Sequence, residues 1–330
     1  MKHINFGIIG TGRIAAKFCQ AFKSDLVQDG SVLAVASRDL SRAKEAAKAY
    51  GISRAYGSYE ELLGDRDIAV VYIAVTNEMH LRCCEMAMRA GKHVICEKPM
   101  VVRAADARAL AALAKEKGVF LMEALWTRFL PAVRKAEEWI REGRIGELRG
   151  MRVSLCARRE PEEYPRLFDT AKYGGAILDL GIYCLHFVRT FAGNRPLREC
   201  KSVSISGESG VDISDFVLLE YDGGFTADMS CSINFFASNE AYIFGREGYI
   251  RVGPQFNSAE NAELFILPDA GKPGPQKPLS AESYSGASGF EFEVAHAMEC
   301  IRGGKTESNL LPLAATIEAA EIIDRIRNNK

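Results

Sequence analysis

Five short apolar runs alternate with helix-like segments through the first 123 residues of the chain. The runs are Ile4–Ile9, Val32–Ala36, Ile68–Val75, His93–Cys96 and Val119–Met122. The segments between them are Arg13–Lys23, Ser41–Tyr50, Tyr59–Leu63, His80–Ala90 and Ala104–Lys117. This alternation is typical of βαβ units, which build a doubly wound parallel sheet with helices on both faces. The pattern therefore predicts an α/β fold for this part of the chain.

The pattern changes after residue 123. Strand-like runs with turn signals follow one another, and Asp222-Gly223-Gly224 between two of them predicts a hairpin. A stretch rich in Gly, Pro and Ser at 268–289 predicts a surface loop, and two helices, Phe290–Arg302 and Pro312–Asn328, follow it. The 330 residues suit two domains at about 150 residues each. We expect domains at 1–123 and 124–330, the second an α+β domain with a large, mostly antiparallel open sheet.

Composition excludes several classes of protein. The 42 basic and 43 acidic residues give a net charge of −1, without the basic excess of a general nucleic-acid binder. The longest uncharged stretch, 229–239, is shorter than the roughly 18 residues of a membrane span, so we expect no membrane partner. The nine cysteines form no CxxC and the five histidines lack metal-ligand spacing. We therefore expect no metal site, and a reducing cytoplasm as the location.

A glycine-rich turn follows the first predicted strand and opens the first predicted helix. Its sequence, Gly10-Thr11-Gly12-Arg13-Ile14-Ala15, has the G-x-G-x-x-G/A spacing. The first glycine permits a tight turn, the second lets backbone approach a pyrophosphate, and the helix N-terminus faces the anion. The strand before it and the helix after it supply the required context. A tight turn without a ligand is the alternative.

The end of the second predicted strand indicates which dinucleotide is bound. An NAD site usually has Asp or Glu here to bind the ribose 2′-hydroxyl. This chain has Ser37 and Arg38 at that point, with Arg42 four residues further on. Guanidinium groups chelate phosphate oxygens, so these residues favour NADP(H) over NAD(H). The alternative is a pair of solvated surface arginines.

Three further segments contain candidate catalytic or ligand-binding residues. Lys98 follows the strand His93–Cys96 at the carboxyl edge, where doubly wound sheets bind ligands. Trp126 and Arg128 lie at the expected seam between the domains, where Trp126 either lines a pocket or belongs to the core. Asp179 and Tyr183 are four residues apart in an apolar helix and so share a face. They are either a catalytic pair or a buried hydrogen bond that orients the helix.

Together these motifs resemble the glucose–fructose oxidoreductase/inositol dehydrogenase (Gfo/Idh/MocA) family. Four segments are similar to its dimeric dihydrodiol dehydrogenase branch: 56–62 (YGSYEEL), 96–100 (CEKPM), 126–129 (WTRF) and 179–184 (DLGIYC). The resemblance covers nearly the whole chain. It implies a Rossmann domain, a substrate domain whose open sheet forms a homodimer, and hydride exchange between NAD(P) and a sugar, diol or related carbon. Tyr183 stands where inositol-type members have histidine, which argues against a cyclitol substrate.

The resemblance also implies roles for individual residues. Lys98 matches the family lysine, and Asp179 and Tyr183 match its catalytic pair, so we expect Tyr183 to donate or accept the proton with their help. Asn77 and His80 begin a helix beside the cofactor in the family, although a helix-start Asn is also a common cap. The residues expected at the cofactor are Gly10, Thr11, Gly12, Arg13, Ile14, Ser37, Arg38, Arg42, Thr76, Asn77, His80, Glu97, Lys98, Trp126 and Arg128. A non-catalytic NADP-binding regulator of the same fold is the alternative.

Overall fold

The computed structural model describes residues 3–268, 274, 277–284 and 288–328. The chain divides into two compact units: Met1–Leu125 with Ser288–Ala320, and Trp126–Ala287 with Glu321–Lys330. The sequence-based boundary after residue 123 lies two residues before the first of these divisions. Residues 288–320, which the sequence pattern assigned to the second domain, group with the first unit instead.

The described residues contain the following elements in chain order. The strands are β1 (Ile4–Ile9), β2 (Gly30–Ala36), β3 (Arg54–Tyr56), β4 (Val70–Ile73), β5 (His93–Glu97), β6 (Leu121–Ala124), β7 (Leu148–Cys156), β8 (Leu197–Ser206), β9 (Asp212–Tyr221), β10 (Phe225–Ser232), β11 (Ala241–Gly245), β12 (Gly248–Val252), β13 (Asn261–Ile266) and β14 (Ser280–Ser283). The α-helices are α1 (Arg13–Ala21), α2 (Leu40–Tyr50), α3 (Tyr59–Gly64), α4 (Asn77–Arg89), α5 (Ala104–Lys117), α6 (Pro131–Arg141), α7 (Ile182–Ala192), α8 (Phe290–Arg302) and α9 (Leu313–Asn328).

The first unit contains a six-stranded sheet in the order β3-β2-β1-β4-β5-β6. All its described strand pairs are parallel. Every residue of β4 and β6 is buried, because helices cover both faces of such a sheet. The predicted doubly wound parallel sheet is confirmed. The short strand β3 was not predicted, since three half-buried residues carry little apolar signal.

Helix ends in the first unit follow from local chemistry. The α2 helix begins after Asp39, whose carboxylate accepts the backbone N–H of Ser41, and ends at Gly51 with φ of +72°. The α5 helix ends at Gly118 with φ of +62°. Glycine adopts this left-handed conformation with the least steric strain because it has no Cβ. It therefore ends each helix, and the chain can enter the next strand.

The second unit contains an eight-stranded sheet in the order β14-β13-β12-β11-β7-β10-β9-β8. Its pairs are antiparallel except for β10 with β7, so the predicted mostly antiparallel sheet is confirmed. The predicted hairpin joins β9 to β10 through Asp222–Gly224. From Asp215 to Tyr221 the residues of β9 are alternately buried and exposed, which is typical of a sheet with one covered face.

The predicted loop at 268–289 is wrong in part. Residues Ser280–Ser283 form β14, an edge strand paired with β13, and β13 itself was not predicted. Residues 269–273, 275–276 and 285–287 lie outside the described part of the chain.

One stretch of the second unit, Thr170–Ala192, is long and apolar enough to cross a membrane by length and composition alone. In its most apolar window 83% of the residues are buried inside the protein. The stretch contains α7, which packs against β7 and β10 as the core helix of its unit.

Candidate active site

The glycine-rich turn in the first unit forms a cradle at the start of α1. Gly10 has φ of +114°, and a Cβ there would lie 2.3 Å from the carbonyl oxygen of Ala74. Gly12 precedes α1 and no side chain caps the helix there. A Cβ on Gly12 would have no atom within 4 Å, so the space beside this backbone is open. This arrangement fits a pyrophosphate held by the backbone of Thr11 to Ile14 and by the positive end of the α1 dipole.

The end of β2 presents basic groups and a carboxylate that is already engaged. The Asp39 carboxylate accepts the N–H of Ser41 at 2.8 Å and its hydroxyl at 2.7 Å. These hydrogen bonds hold the pKa of Asp39 below its ordinary value. Ser37 lies beside it and accepts the N–H of Asp39 at 3.4 Å. Arg38 and Arg42 are exposed, and neither forms an ion pair or side-chain hydrogen bond within the described residues.

The turn from β4 into α4 is tied to the segment that follows Lys98. Thr76 precedes α4 and buried Asn77 begins it. His80 is also buried, with Nδ1 2.8 Å from the carbonyl oxygen of Pro99 and Nε2 3.1 Å from that of Val75. Burial lowers the pKa of His80. The His80 ring therefore bridges two backbone turns from the protein interior.

Two buried carboxyl groups hold the backbone around Lys98. Glu97 accepts a hydrogen bond from the hydroxyl of Tyr72 and another from the backbone N–H of Lys98, the latter at 3.2 Å. Burial raises the pKa of Glu97, although both of these contacts oppose the rise. Glu123 in β6 accepts the N–H of Met100 at 2.9 Å. Sequence reasoning missed this role of Glu123, although an acid inside a buried apolar strand is a signal that could have found it.

In the second unit, Asp179 lies in a π-helical turn, Ile177–Gly181, rather than in the regular α-helix predicted there. Such turns occur frequently at functional sites. The turn begins where the Asp212 carboxylate accepts the N–H of Ile177 at 2.7 Å. A Cβ on Gly175 would lie 2.6 Å from an Asp212 oxygen, so the glycine allows this approach. Tertiary contacts that the spacing of apolar residues does not reveal thus position the start of the helix.

Asp179 is paired with a residue that the sequence did not suggest. Nη2 of Arg166 lies 3.1 Å from Oδ1 of Asp179, and the two side chains are 49% and 14% exposed. Arg166 precedes Asp179 by thirteen residues, so no helical spacing links them. One turn further along, Tyr183 is buried, with its ring 5.5 Å from the ring of Trp126. The second unit therefore brings a carboxylate paired with a guanidinium, a phenol and an indole together around the π-helical turn and the start of α7.

Trp126 and Arg128 are both held by their own unit. Nε1 of Trp126 donates to the carbonyl oxygen of Asn257 at 2.7 Å, and the Thr127 hydroxyl donates to the same oxygen at 2.5 Å. Arg128 makes two hydrogen bonds to Glu137 in α6, at 2.7 and 2.8 Å. The Trp126 ring beside Tyr183 is thus fixed in orientation. Over the described residues no group of three or more His, Cys, Asp or Glu is suited to a metal ion.

Two parts of the chain match models of known protein families. Residues 4–125 match the oxidoreductase family with an NAD-binding Rossmann fold (GFO_IDH_MocA), and residues 133–251 match the GFO/IDH/MocA C-terminal domain. The chain belongs to the GFO/IDH/MocA oxidoreductase family.

Curated members of the GFO/IDH/MocA family cover nearly the whole chain. Trans-1,2-dihydrobenzene-1,2-diol dehydrogenase from Mus musculus is 37% identical over 329 residues, and that from Bos taurus is 36% identical over 330 residues. Each alignment covers 98% of this chain and 96% of the relative. The predicted family, the class of enzyme and its NAD(P)-binding oxidoreductase character are thereby confirmed.

Solved structures of the GFO/IDH/MocA family share the fold. Levoglucosan dehydrogenase in complex with NADH and levoglucosan is similar with a TM-score of 0.88 at 21% identity, over 99% of this chain and 97% of the other. KijD10, a 3-ketoreductase from Actinomadura kijaniata in complex with NADP and TDP-benzene, has a TM-score of 0.85 at 24% identity, over 99% and 98%. At this identity the likeness establishes the fold; of these two neighbours, one binds NADH and the other NADP.

Proposed function

We propose that this oxidoreductase uses NADP(H) to interconvert a carbinol and a carbonyl on a diol or sugar-like substrate. Tyr183 is the proton donor and acceptor in this proposal, assisted by Lys98 and Asp179. The observation that carries it is the setting of Tyr183, a buried phenol beside a fixed indole and one turn after a partly exposed acid. The named activities of the curated relatives support the diol as a substrate class.

The preference for NADP(H) rests on the end of β2. The carboxylate nearest this point, that of Asp39, caps α2 and is engaged by Ser41. Arg38 and Arg42 are exposed there and form no ion pair within the described residues, so both can bind a 2′-phosphate. Ser37 adds a hydroxyl at the same edge. An NAD site would instead need a carboxylate that accepts the ribose hydroxyl.

In the proposed mechanism the cofactor would transfer the hydride and the protein transfers the proton. A nicotinamide cofactor, when bound, would supply or accept the hydride at the substrate carbon. During reduction the Tyr183 hydroxyl donates its proton to the carbonyl oxygen, and during oxidation the phenolate takes the proton from the alcohol. A free phenol has a pKa of about 10, so a nearby cation is needed to stabilise the phenolate near neutral pH. Lys98 is the group we assign to this task.

Replacement of Tyr183 by Phe tests the proposal. The variant keeps the ring against Trp126 but has no proton to transfer, so turnover is expected to fall by about 100- to 10,000-fold. The assay is a screen of diols, sugars and cyclitols with NADP⁺, followed by NADPH absorbance. Binding of NADPH, measured by fluorescence titration, should be unchanged. Turnover close to that of the wild type would remove Tyr183 from the mechanism.

We also propose a homodimer formed through the exposed face of the second unit's sheet. Val203 and Ile205 in β8 and Phe216 and Leu218 in β9 are all exposed on it, with Val203 directly opposite Phe216. Contiguous apolar surface of this kind commonly marks a protein interface.

A cytoplasmic location is likewise a proposal, supported by nine cysteines that are all free thiols.

A further inference from the structure

Arg166 is a charged side chain that the proposed mechanism does not use. It donates one of its five N–H groups to Asp179. Its guanidinium has no other hydrogen-bond partner within the described residues, and half of the side chain is exposed. Donors therefore remain for a further acceptor beside the acid that precedes Tyr183.

The backbone that carries Arg166 is fixed against the start of the helix. Leu167 is buried, and its carbonyl oxygen accepts the N–H of Gly175 at 2.9 Å. A Cβ on Gly174 would lie 2.4 Å from the Leu167 carbonyl oxygen and 2.7 Å from that of Arg166. Only glycine at position 174 permits this approach. The Gly174-Gly175 pair thus seats the segment that presents Arg166 to Asp179, which is how a ligand-binding group is held in a defined place.

A guanidinium and a carboxylate in contact are suited to a hydroxyl group. The hydroxyl oxygen accepts from the guanidinium, while its hydrogen is donated to the carboxylate. Asp179 lies in the π-helical turn and precedes Tyr183, in the first turn of α7, by four residues, about one helical turn. Tyr183 and the Arg166–Asp179 pair therefore offer two oxygen-binding positions on neighbouring turns. A substrate with oxygens on adjacent carbons can occupy both.

We infer that Arg166 binds the second oxygen of the substrate, on the carbon next to the reacting one, and so selects vicinal diols and hydroxy-carbonyl compounds over simple alcohols. This inference rests on the proposed function, because it takes Tyr183 as the position of the reacting oxygen. An ion pair that only stabilises the loop would be worth little at this exposure and would not discriminate between substrates.

The test compares two ligands that differ by one hydroxyl, trans-cyclohexane-1,2-diol and cyclohexanol. Their dissociation constants from the NADP⁺-loaded protein are measured by ligand-observed NMR titration. In the Arg166→Met variant the preference for the diol is expected to fall about 10- to 100-fold, as for loss of a hydrogen bond from a charged donor. Arg166→Lys retains a cationic donor and is expected to recover part of the preference.

Arg158→Met is the matched control. Arg158 is an exposed arginine in the same segment, paired with Glu160 at 2.7 Å, so its loss removes the same charge and a comparable ion pair. Its preference for the diol should equal that of the wild type. The inference is overturned if the wild type does not bind the diol more tightly than cyclohexanol, or if Arg166→Met keeps the preference. Preferential diol binding without turnover of any diol contradicts the proposed function alone.

Discussion

At the scale of single residues, the end of β2 separates two uses of charge that the sequence places side by side. Asp39 stands immediately after Arg38, where it could be mistaken for a ribose-binding acid. Its carboxylate instead caps α2 through Ser41, as aspartate often does at a helix start. The guanidinium groups of Arg38 and Arg42 have no such partner within the described residues, so they remain available to bind a ligand from solvent.

Replacing Arg38 by Ala should therefore raise the KM for NADPH about 10- to 100-fold, because a charged hydrogen-bond donor to the 2′-phosphate is lost. The KM for NADH should change by less than about threefold, since NADH lacks that phosphate. Steady-state kinetics with both cofactors checks the difference. Lys44→Ala, at an exposed basic position of the helix α2 that follows Arg38, is the control. An equal increase in both constants would contradict the assignment of NADP(H).

Glu293 gives a prediction about pH and stability. The side chain is fully buried in α8. Burial raises the pKa of Glu293 well above its ordinary value, and the nearby Glu97 adds to the rise. The folded state therefore keeps a proton that the unfolded chain releases above about pH 4.3. By linkage, the wild type loses up to about 1.4 kcal/mol of stability per pH unit above that point, until the folded-state pKa is passed.

Glu293→Gln cannot ionise, so its stability relative to the wild type should increase as the pH rises from 5 to 7. The difference should flatten below about pH 4, where Glu293 is protonated in both states. Urea unfolding at several pH values measures it. Glu162→Gln, which makes the same substitution at an exposed position, serves as the control. A constant difference for Glu293→Gln would contradict the burial of a proton at this position.

At the scale of elements, local signals predicted most of the first unit. The strand Ile4–Ile9 and the helix Ala104–Lys117 have the predicted bounds, because apolar runs and a terminal glycine define them locally. Edge strand β14 was missed because its Ser280–Ser283 residues lie in a stretch with loop composition. The π-helical turn was missed because it depends on Asp212, which is distant in sequence from Ile177.

The candidate site could likewise be predicted only in part from the sequence. Motif spacing predicted the glycine turn, and the family resemblance predicted the roles of Lys98, Asp179 and Tyr183, which stay predictions. It did not identify Arg166, whose contact with Asp179 exists only because Gly174 and Gly175 allow the preceding segment to approach the helix. A pairing that depends on such a close backbone approach cannot be inferred from residue spacing.

The glycine turn gives a paired prediction at this scale. Gly12→Ala adds a methyl group where no atom lies within 4 Å and where φ is −78°, so the Tm should change little. The same methyl fills the cradle, and the Kd for NADPH should increase at least about tenfold. Gly10→Ala should instead lower the Tm, because its Cβ would meet the Ala74 carbonyl at 2.3 Å and its φ is +114°. Thermal melting and fluorescence titration distinguish the two, and unchanged NADPH binding by Gly12→Ala would contradict a pyrophosphate site.

At the scale of the whole molecule, the two units carry different kinds of surface. The first has strands covered on both faces, as parallel strands require. The second unit has a sheet with one covered face. On the uncovered face of this sheet, exposed apolar side chains cluster on the strands β8 and β9. Single exposed apolar residues are ordinary, whereas four neighbouring ones on two paired strands constitute a patch. A second copy of the chain is the partner we propose for that patch.

Phe216→Glu should therefore convert the protein from dimer to monomer in light scattering. The substitution places a charge in the middle of the patch, opposite Val203, where burial against a partner would leave it unpaired. An exposed strand position tolerates the charge, so the variant should still fold and give the circular dichroism of the wild type. Leu26→Glu, at an exposed leucine in the first unit, is the control and should remain dimeric. A dimer that persists in Phe216→Glu, or a wild type that is monomeric at micromolar concentration, would rule out this face as the interface.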